Sequence, residues 1–285
     1  MRFLKKLLPA RFRPDETVIP VVRLHGPIMA GGSQFRPTIS LATVAPLLQR
    51  AFSFKEAPAV AIVVNSPGGS PVQSRLIYRR IRDLAREKDK KVLVFVEDVA
   101  ASGGYMIACA GDEIVADPSS IVGSIGVVSA GFGFVGFIEK LGIERRVYTA
   151  GRNKSSLDPF KPEVESEIEH LKSLQLDIHE IFIDLVKESR GAKLGDDPDL
   201  FTGKFWSGVR GLDLGLVDEL SDMRSVLKAR YGDKVRLRLV TAPKGLFGRR
   251  LPGALARLDA GAVAAVASEG MNALEERALW SRYGL

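Results

Sequence analysis

Three short stretches carry residue types that can do chemistry together. The first holds Ser102, in "VAASGGYMIACAG" (99–111). It stands alone among small residues, with Gly103 and Gly104 behind it, just after the apolar run "KVLVFVE". At the start of a helix its hydroxyl lies near the positive end of the helix dipole, which favours an alkoxide, and the two glycines leave room for a substrate backbone. The second is "NSPGGS" (65–70). Pro67 fixes its own φ, and Gly68 and Gly69 admit conformations that a side chain blocks. Such a turn can aim backbone N–H groups at a developing oxyanion. The third is "TAGRNKSSLDPF" (149–160), a Gly-, Asn- and Ser-rich loop that carries Lys154. Taken singly, each has an ordinary structural explanation: a helix-capping serine, a tight strand-to-helix turn and a solvated surface lysine. A serine hydroxyl is also a poor nucleophile without a positioned base. The three histidines, His25, His170 and His179, lie far from Ser102 in sequence and in no motif.

The elements that must position these residues follow from periodicity. "TVIPVVRLHG" (17–26) reads as a β-branched strand, and "AVAIVVN" (59–65) and "KVLVFVE" as strands buried on both faces. Between them, 40–53 reads as a helix capped by Ser40. The stretch after Ser70 reads as a second helix, with Val72, Leu76, Ile77, Ile81 and Leu84 on one face. A short helix follows Ser102 and ends at Gly111. "DEIVADP", "IGVVS" (125–129) and "RRVYTAG" (145–151) read as further strands. From Pro162 a long helix carries one apolar stripe of Val164, Ile168, Leu171, Leu174, Ile178, Ile181 and Leu185, and "VRLRLVT" (235–241) reads as an edge strand. Strand–turn–helix repeats with special residues at strand ends predict an open, mostly parallel α/β sheet with ligands at the carboxyl ends.

Composition narrows the function classes. The 285 residues are 46% hydrophobic with a net charge of +7, enough for one sizeable α/β body with appendages. The basic excess gathers in "MRFLKKLLPARFRP" and "KGLFGRR", with no basic stripe interleaved with aromatics, which argues against nucleic-acid binding. No stretch approaches the roughly 20 apolar residues that span a bilayer. The N-terminal segment reads either as a plain basic tail or as a peripheral anchor, the latter with Phe3, Leu4, Leu7 and Leu8 toward lipid and Arg2, Lys5 and Lys6 toward headgroups. Cys109 is the single cysteine, so no intrachain disulfide forms, and its apolar setting reads as core.

"VVNSPGGS", "DVAASGGYMIACAGDEIVADPSSIVGSIGV", "TAGRNKSSLDPF" and "GLDLGLVDEL", in that order, resemble the SppA/SohB family of Ser–Lys peptidases over residues 17–241. The resemblance implies a Clp/crotonase-type α/β fold, no cofactor and no metal. It implies Ser102 as nucleophile and Lys154, 52 residues on in the same chain, as general base. Ser124 in "GSIG" would hold the lysine amine. The N–H groups of Gly68 and Gly69 would form the oxyanion hole, with Gly103 as a further donor. A free lysine has a pKa of about 10.4 and must be partly desolvated to accept a proton near neutrality. A carboxylate beside it would oppose this, so Asp158 is expected to point away. Family members usually begin with a membrane anchor, which is not seen here, and often have a tyrosine where Asn153 stands.

The resulting expectation is a basic tail (1–16), a peptidase domain (17–241) and a C-terminal helical extension (242–285). The substrate class is extended peptides, such as leftover signal peptides or membrane-protein fragments, bound as a strand beside "NSPGG". The relatives imply a homo-oligomeric ring or dome, and the apolar stripe and alanine-rich tail offer interface surface. The expected location is cytoplasmic or peripheral on the inner membrane of a bacterium. A crotonase-like acyl-CoA enzyme would not need Ser102 paired with Lys154, and an inactive scaffold would not retain both.

Overall fold

A computed structural model describes residues 16–31, 38–241 and 277–285. The N-terminal anchor expected at Phe3, Leu4, Leu7 and Leu8, and most of the C-terminal extension, lie outside the described residues.

The apolar runs form the middle of one eight-stranded sheet. Strands β1 (Val18–His25), β2 (Ala59–Ser66) and β3 (Lys91–Ala101) pair in parallel, and every residue of β2 is buried. Burial on both faces explains why the run 59–66 is continuous rather than alternating. One face is covered by helices α1 (Leu41–Phe52), α2 (Pro71–Lys88) and α3 (Gly103–Ala108). The caps fall where expected: Ser40 closes a capping box with Thr43, and Ser70 accepts the Gln73 N–H at 3.3 Å, with Pro71 opening α2.

The chain continues through β4 (Glu113–Ala116), β5 (Ile121–Gly123), α4 (Val135–Lys140) and α5 (Glu165–Arg190). It then forms β6 (Phe205–Ser207), α6 (Gly208–Asp213), β7 (Glu219–Leu220), α7 (Met223–Tyr231) and β8 (Arg236–Leu239). The strand order is β6-β5-β3-β2-β1-β8, with β4 and β7 beside the first half of β3. All pairings are parallel except β5 with β6. The expectation of an open, mostly parallel α/β sheet therefore holds, with β8 on its edge. Helix α7 covers the second face, where Val226 and Leu227 meet Val21, Val63 and Phe95.

Three sequence expectations differ. The strand expected at 125–129 lies earlier, at Ile121–Gly123; Gly123 and Ser124 then take φ of +95° and +53°, which turns the chain out of the sheet. Residues 145–149 form no strand. Tyr148 is 91% exposed, and an extended run becomes a strand only where a ladder partner meets it. The stripe on α5 is not buried along its length. Leu185 packs into the core with Phe182 and Val186, whereas Val164, Leu174 and Ile181 are exposed.

A buried ion pair ties α5 back to the sheet. Arg190 donates to both carboxylate oxygens of Asp218, at 2.8 and 3.0 Å, and its Nε donates to the Gly215 carbonyl. Burial opposes the Asp218 carboxylate, but hydrogen bonds from Arg190, Lys193 and the Ile114 N–H outweigh it and hold the carboxyl below its ordinary value. Cys109 is buried as expected, and burial pushes its thiol up to about 12, so it stays protonated.

Candidate active site

β2 and β3 end side by side, which brings the turn 65–70 against Ser102. The serine sits between β3 and α3 at φ 51° and ψ −122°, a conformation rare for a residue with a side chain and costing about 1–3 kcal/mol. Its N–H donates to the Gly123 carbonyl at 2.8 Å, and its carbonyl accepts from Met106 at 3.0 Å. Both backbone groups are therefore used to hold the turn, and the side chain makes no capping bond. The plain N-cap explanation fails for Ser102, because its hydroxyl is left for something else.

Gly68, at φ +102°, presses directly on it. A Cβ there would stand 2.8 Å from the Ser102 Cβ and 2.9 Å from the Gly103 nitrogen. Gly69, at φ +138°, has no room either, since a Cβ would lie 2.2 Å from the Ile28 carbonyl oxygen. Ile28 bridges Gly69 in parallel: the Ile28 N–H donates to the Gly68 carbonyl, and the Ser70 N–H donates to the Ile28 carbonyl. In that register the Gly69 N–H points to the opposite edge, the side of β3 and Ser102. Among the described residues, neither the Gly69 N–H nor the Gly103 N–H has a protein acceptor. The Gly68 N–H donates to Ser66 Oγ at 3.2 Å.

The space expected beside Gly103 and Gly104 is filled from within the protein. A Cβ on Gly103 would meet Ser74 Oγ at 2.3 Å, and one on Gly104 would meet the Ser66 carbonyl at 2.5 Å. These glycines let α3 lie close on α2 and β2 rather than make room for substrate.

Ser124 stands one residue past β5, its N–H on the Lys204 carbonyl at 2.8 Å. Its Oγ faces the Tyr283 hydroxyl at 3.4 Å, and the same phenol donates to the Pro67 carbonyl at 3.4 Å. The Tyr283 ring meets Phe205 edge-on at 5.1 Å, and Trp280 lies 5.8 Å from the His25 ring. Residues 277–285 thus rest beside the turn 65–70 and Ser124. Sequence reasoning missed these contacts. The aromatic pair at 280 and 283 was visible, but nothing in its spacing says which surface it meets.

Lys154 is placed differently. It lies on a turn over 151–157 and is exposed, and its amine bonds to neither Ser102 nor Ser124 among the described residues. Asp158 pairs with Arg145 and makes no ion pair with Lys154 among the described residues. The Phe160 N–H holds its carboxyl below the ordinary range against partial desolvation, assisted by Arg145, whose Nη2 lies 3.2 Å away. In the segment 127–164, which carries Lys154, Val128, Phe132, Phe137, Leu141, Ile143 and Tyr148 are all more than half exposed. No histidine contacts Ser102. His25 meets Trp280, His170 is exposed, and His179 bonds the Ile125 carbonyl at 3.0 Å. Among the described residues no cluster of His, Cys, Asp or Glu can hold a metal ion, and no helix is long and apolar enough to cross a membrane.

The model of peptidase family S49 matches residues 84–235. The chain is 31% identical over 215 residues to "Protease 4" of Haemophilus influenzae, covering 73% of this chain and 34% of that protein. It is 64% identical over 288 residues to a Brucella abortus protein named "Na(+)/H(+) antiporter NhaA", covering 99% of this chain and 39% of that protein. The chain thus spans about two-fifths or less of each of these longer relatives, and the antiporter name describes a protein mostly outside the match. A solved structure, a mutant of the 1510-N membrane-bound stomatin-specific protease, overlays with a TM-score of 0.48 at 16% identity, covering 80% of this chain and 99% of that one. That overlay is too loose to carry any residue across. The family match spans more than half of the sequence and includes both Ser102 and Lys154: this chain belongs to peptidase family S49.

Proposed function

We propose that this chain carries a serine endopeptidase site, with Ser102 as nucleophile and Lys154 as general base. The observation that supports it is the strained Ser102 backbone packed on Gly68, with the Gly69 and Gly103 N–H groups unpaired beside it. Strain of this kind at a strand-to-helix turn exposes a hydroxyl that ordinary capping would bury. Ser102 Oγ attacks the peptide carbonyl carbon and its proton passes to the neutral Lys154 amine. The Gly69 and Gly103 N–H groups receive the oxyanion. Gly68, whose own N–H is used by Ser66, supplies the close approach rather than a donor. The C–N bond then breaks as Lys154 returns the proton to the leaving amine. Water, deprotonated by the same lysine, hydrolyses the acyl-enzyme. Ser124 Oγ holds the amine in the place that the Tyr283 phenol now takes.

The substrate is an extended peptide lying as a strand along the free edge of the 65–70 turn, where main-chain pairing does not depend on sequence. The protein works as a homo-oligomer. Copies of the chain cover the exposed apolar side chains of 127–164, and that cover also desolvates the Lys154 amine, as a lysine base requires. A crotonase-like acyl-CoA reaction would leave the Ser102 hydroxyl without a purpose.

The test is a fluorophosphonate probe with tandem mass spectrometry. Label on Ser102, abolished in Ser102→Ala, slowed at least a thousandfold in Lys154→Ala and unaffected by replacing the three histidines, is the expected result. Labelling that survives Lys154→Ala overturns the base assignment. A wild-type oligomer that takes no label overturns the nucleophile.

A further inference from the structure

We infer that Asn65 is a positioning residue: its amide clasps a bulge in β3 and so sets where Ser102 stands against the oxyanion turn. The inference rests on Ser102 being the nucleophile. The pairing of β2 with β3 is regular from Ala59↔Lys91 to Val64↔Val96, then jumps to Ser66↔Ala100. One residue of β2, Asn65, therefore faces three residues of β3: Glu97, Asp98 and Val99. β3 holds two residues more than its partner.

The bulge falls where β3 changes neighbours. Leu93–Val96 pair with β4, and Val99–Ala101 pair with β5. Two extra residues keep the alternation of faces, since the side-chain period is two, while drawing the end of the strand back by about 6.6 Å. Were β3 to run on through these residues as a regular ladder, Ser66 would face Asp98 and Ser102 would run two residues past Gly68. The bulge is what sets Ser102 against Gly68, one residue before the Gly69 N–H.

Asn65 suits this task chemically. It is 2% exposed, and its side chain binds two of the three bulge residues: Oδ1 accepts the buried Val99 N–H at 3.2 Å, and Nδ2 donates to Asp98 Oδ2 at 2.6 Å. The two partners dictate the orientation of the amide, because an N–H needs the oxygen and a carboxylate needs the nitrogen. A bond to a carboxylate is the stronger kind. Its carbonyl accepts the Gly26 N–H at 2.9 Å, so the residue is anchored while its side chain reaches across. Glu97, the first residue of the bulge, is held as well. Ser120 Oγ donates to the Glu97 carbonyl at 2.5 Å, and Arg23 pairs with the Glu97 carboxylate at 2.8 Å.

The swap of the two side chains tests this. Asn65→Asp keeps the acceptor for Val99 but sets two carboxylates against each other. Asp98→Asn alone keeps an oxygen for the Asn65 amide. Asn65→Asp with Asp98→Asn rebuilds the bond in the opposite sense. The readout is Ser102 phosphonylation by the fluorophosphonate on the full chain, resolved into the saturating rate and the probe affinity, with labelling stoichiometry and thermal midpoint alongside. Well below its midpoint, which the opposed carboxylates lower, Asn65→Asp should reduce the saturating rate on the order of 100-fold, with affinity and stoichiometry unmoved. Asp98→Asn should stay near wild type, and the double variant should regain most of the loss. Should Asn65→Asp fail to fold, Asp98→Ala at the exposed partner carries the test, with a roughly tenfold loss of rate expected. A wild-type rate in Asn65→Asp or Asp98→Ala, a loss of rate that only follows the thermal midpoint, or a double variant no better than the single overturns the assignment. In each of these the wild type still labels, which separates this failure from failure of the nucleophile itself.

Discussion

The shelf made by the ends of β2 and β3 and the segment 127–164 are both rich in glycine and apolar residues, and they end in opposite states. On the shelf, Val64, Val99, Ala100, Ala101 and Ile107 are fully buried, and the backbone of Ser102 is bonded on both sides. In 127–164, Phe132 is 79% exposed and Tyr148 91%. That segment is held by local ties of its own. Phe134 stacks on Phe160 at 5.4 Å, the Phe134 N–H donates to the Pro159 carbonyl at 2.7 Å, and Arg145 lies over Phe160 while pairing with Asp158. A ladder supplies partners on both sides of a strand, and a hydrophobic surface without a ladder must find its partner elsewhere. Ser102, the proposed nucleophile, is thus held by the body of the chain, whereas Lys154, the proposed base, lies on an exposed turn.

The comparison breaks first at the two proposed catalytic side chains. Ser102→Ala and Lys154→Ala should each lower peptide hydrolysis by at least a thousandfold, with circular dichroism and thermal midpoint unchanged. Substantial turnover by either variant removes that side chain from the mechanism. Next comes stability, which should reside in the body. Asp218→Asn leaves Arg190 buried without its counter-charge and should cost about 3–5 kcal/mol in denaturant unfolding. Because the folded Asp218 carboxyl lies below its ordinary value, its contribution is present above the unfolded carboxylate pKa of about 3.9 and is lost as pH falls through the lower folded value. The Asp218→Asn protein should therefore lose less stability than wild type on acidification below about pH 4. An equal loss would show that another group carries the acid dependence.

The outer face should behave in the reverse sense. Phe137→Asp, at a position 61% exposed, should change monomer stability by no more than about 0.5 kcal/mol yet dissociate the oligomer and lower turnover about tenfold. Analytical ultracentrifugation beside an activity assay reads both, and a Phe137→Asp protein that keeps its assembly sharpens the search to another part of the face. The smallest effect is expected at Tyr283, whose phenol sits at 3.4 Å from both Ser124 Oγ and the Pro67 carbonyl. Tyr283→Ala should raise the phosphonylation rate a few-fold, roughly the value of one weak hydrogen bond. A fall in rate would make Tyr283 part of the working site.

Much of the shelf was legible in the residues. The buried runs 59–66 and 92–96, the caps at Ser40 and Ser70 and the placement of Ser102 at a strand end all follow from patterns within a few positions of each other. These include period, β-branching and the spacing of a hydroxyl from a free N–H. Local energetics decide such features, so local sequence determines them. What lies beyond reach is every feature whose energy depends on a distant partner. The two-residue bulge opposite Asn65 exists because β3 serves β4 and β5 in turn, and no periodicity in "VEDVAAS" announces it. The run 145–149 has strand character but no ladder to join. The α5 stripe reads as one surface, yet only its last two turns meet the core. Ser124 and Tyr283, 159 residues apart, meet across the end of the sheet. Sequence alone determined which residues are suited to chemistry and which backbone positions must be glycine. The tertiary structure decided which of them stand together, because hydrogen-bond ladders and buried surface are shared between segments and are settled only when both partners are in place.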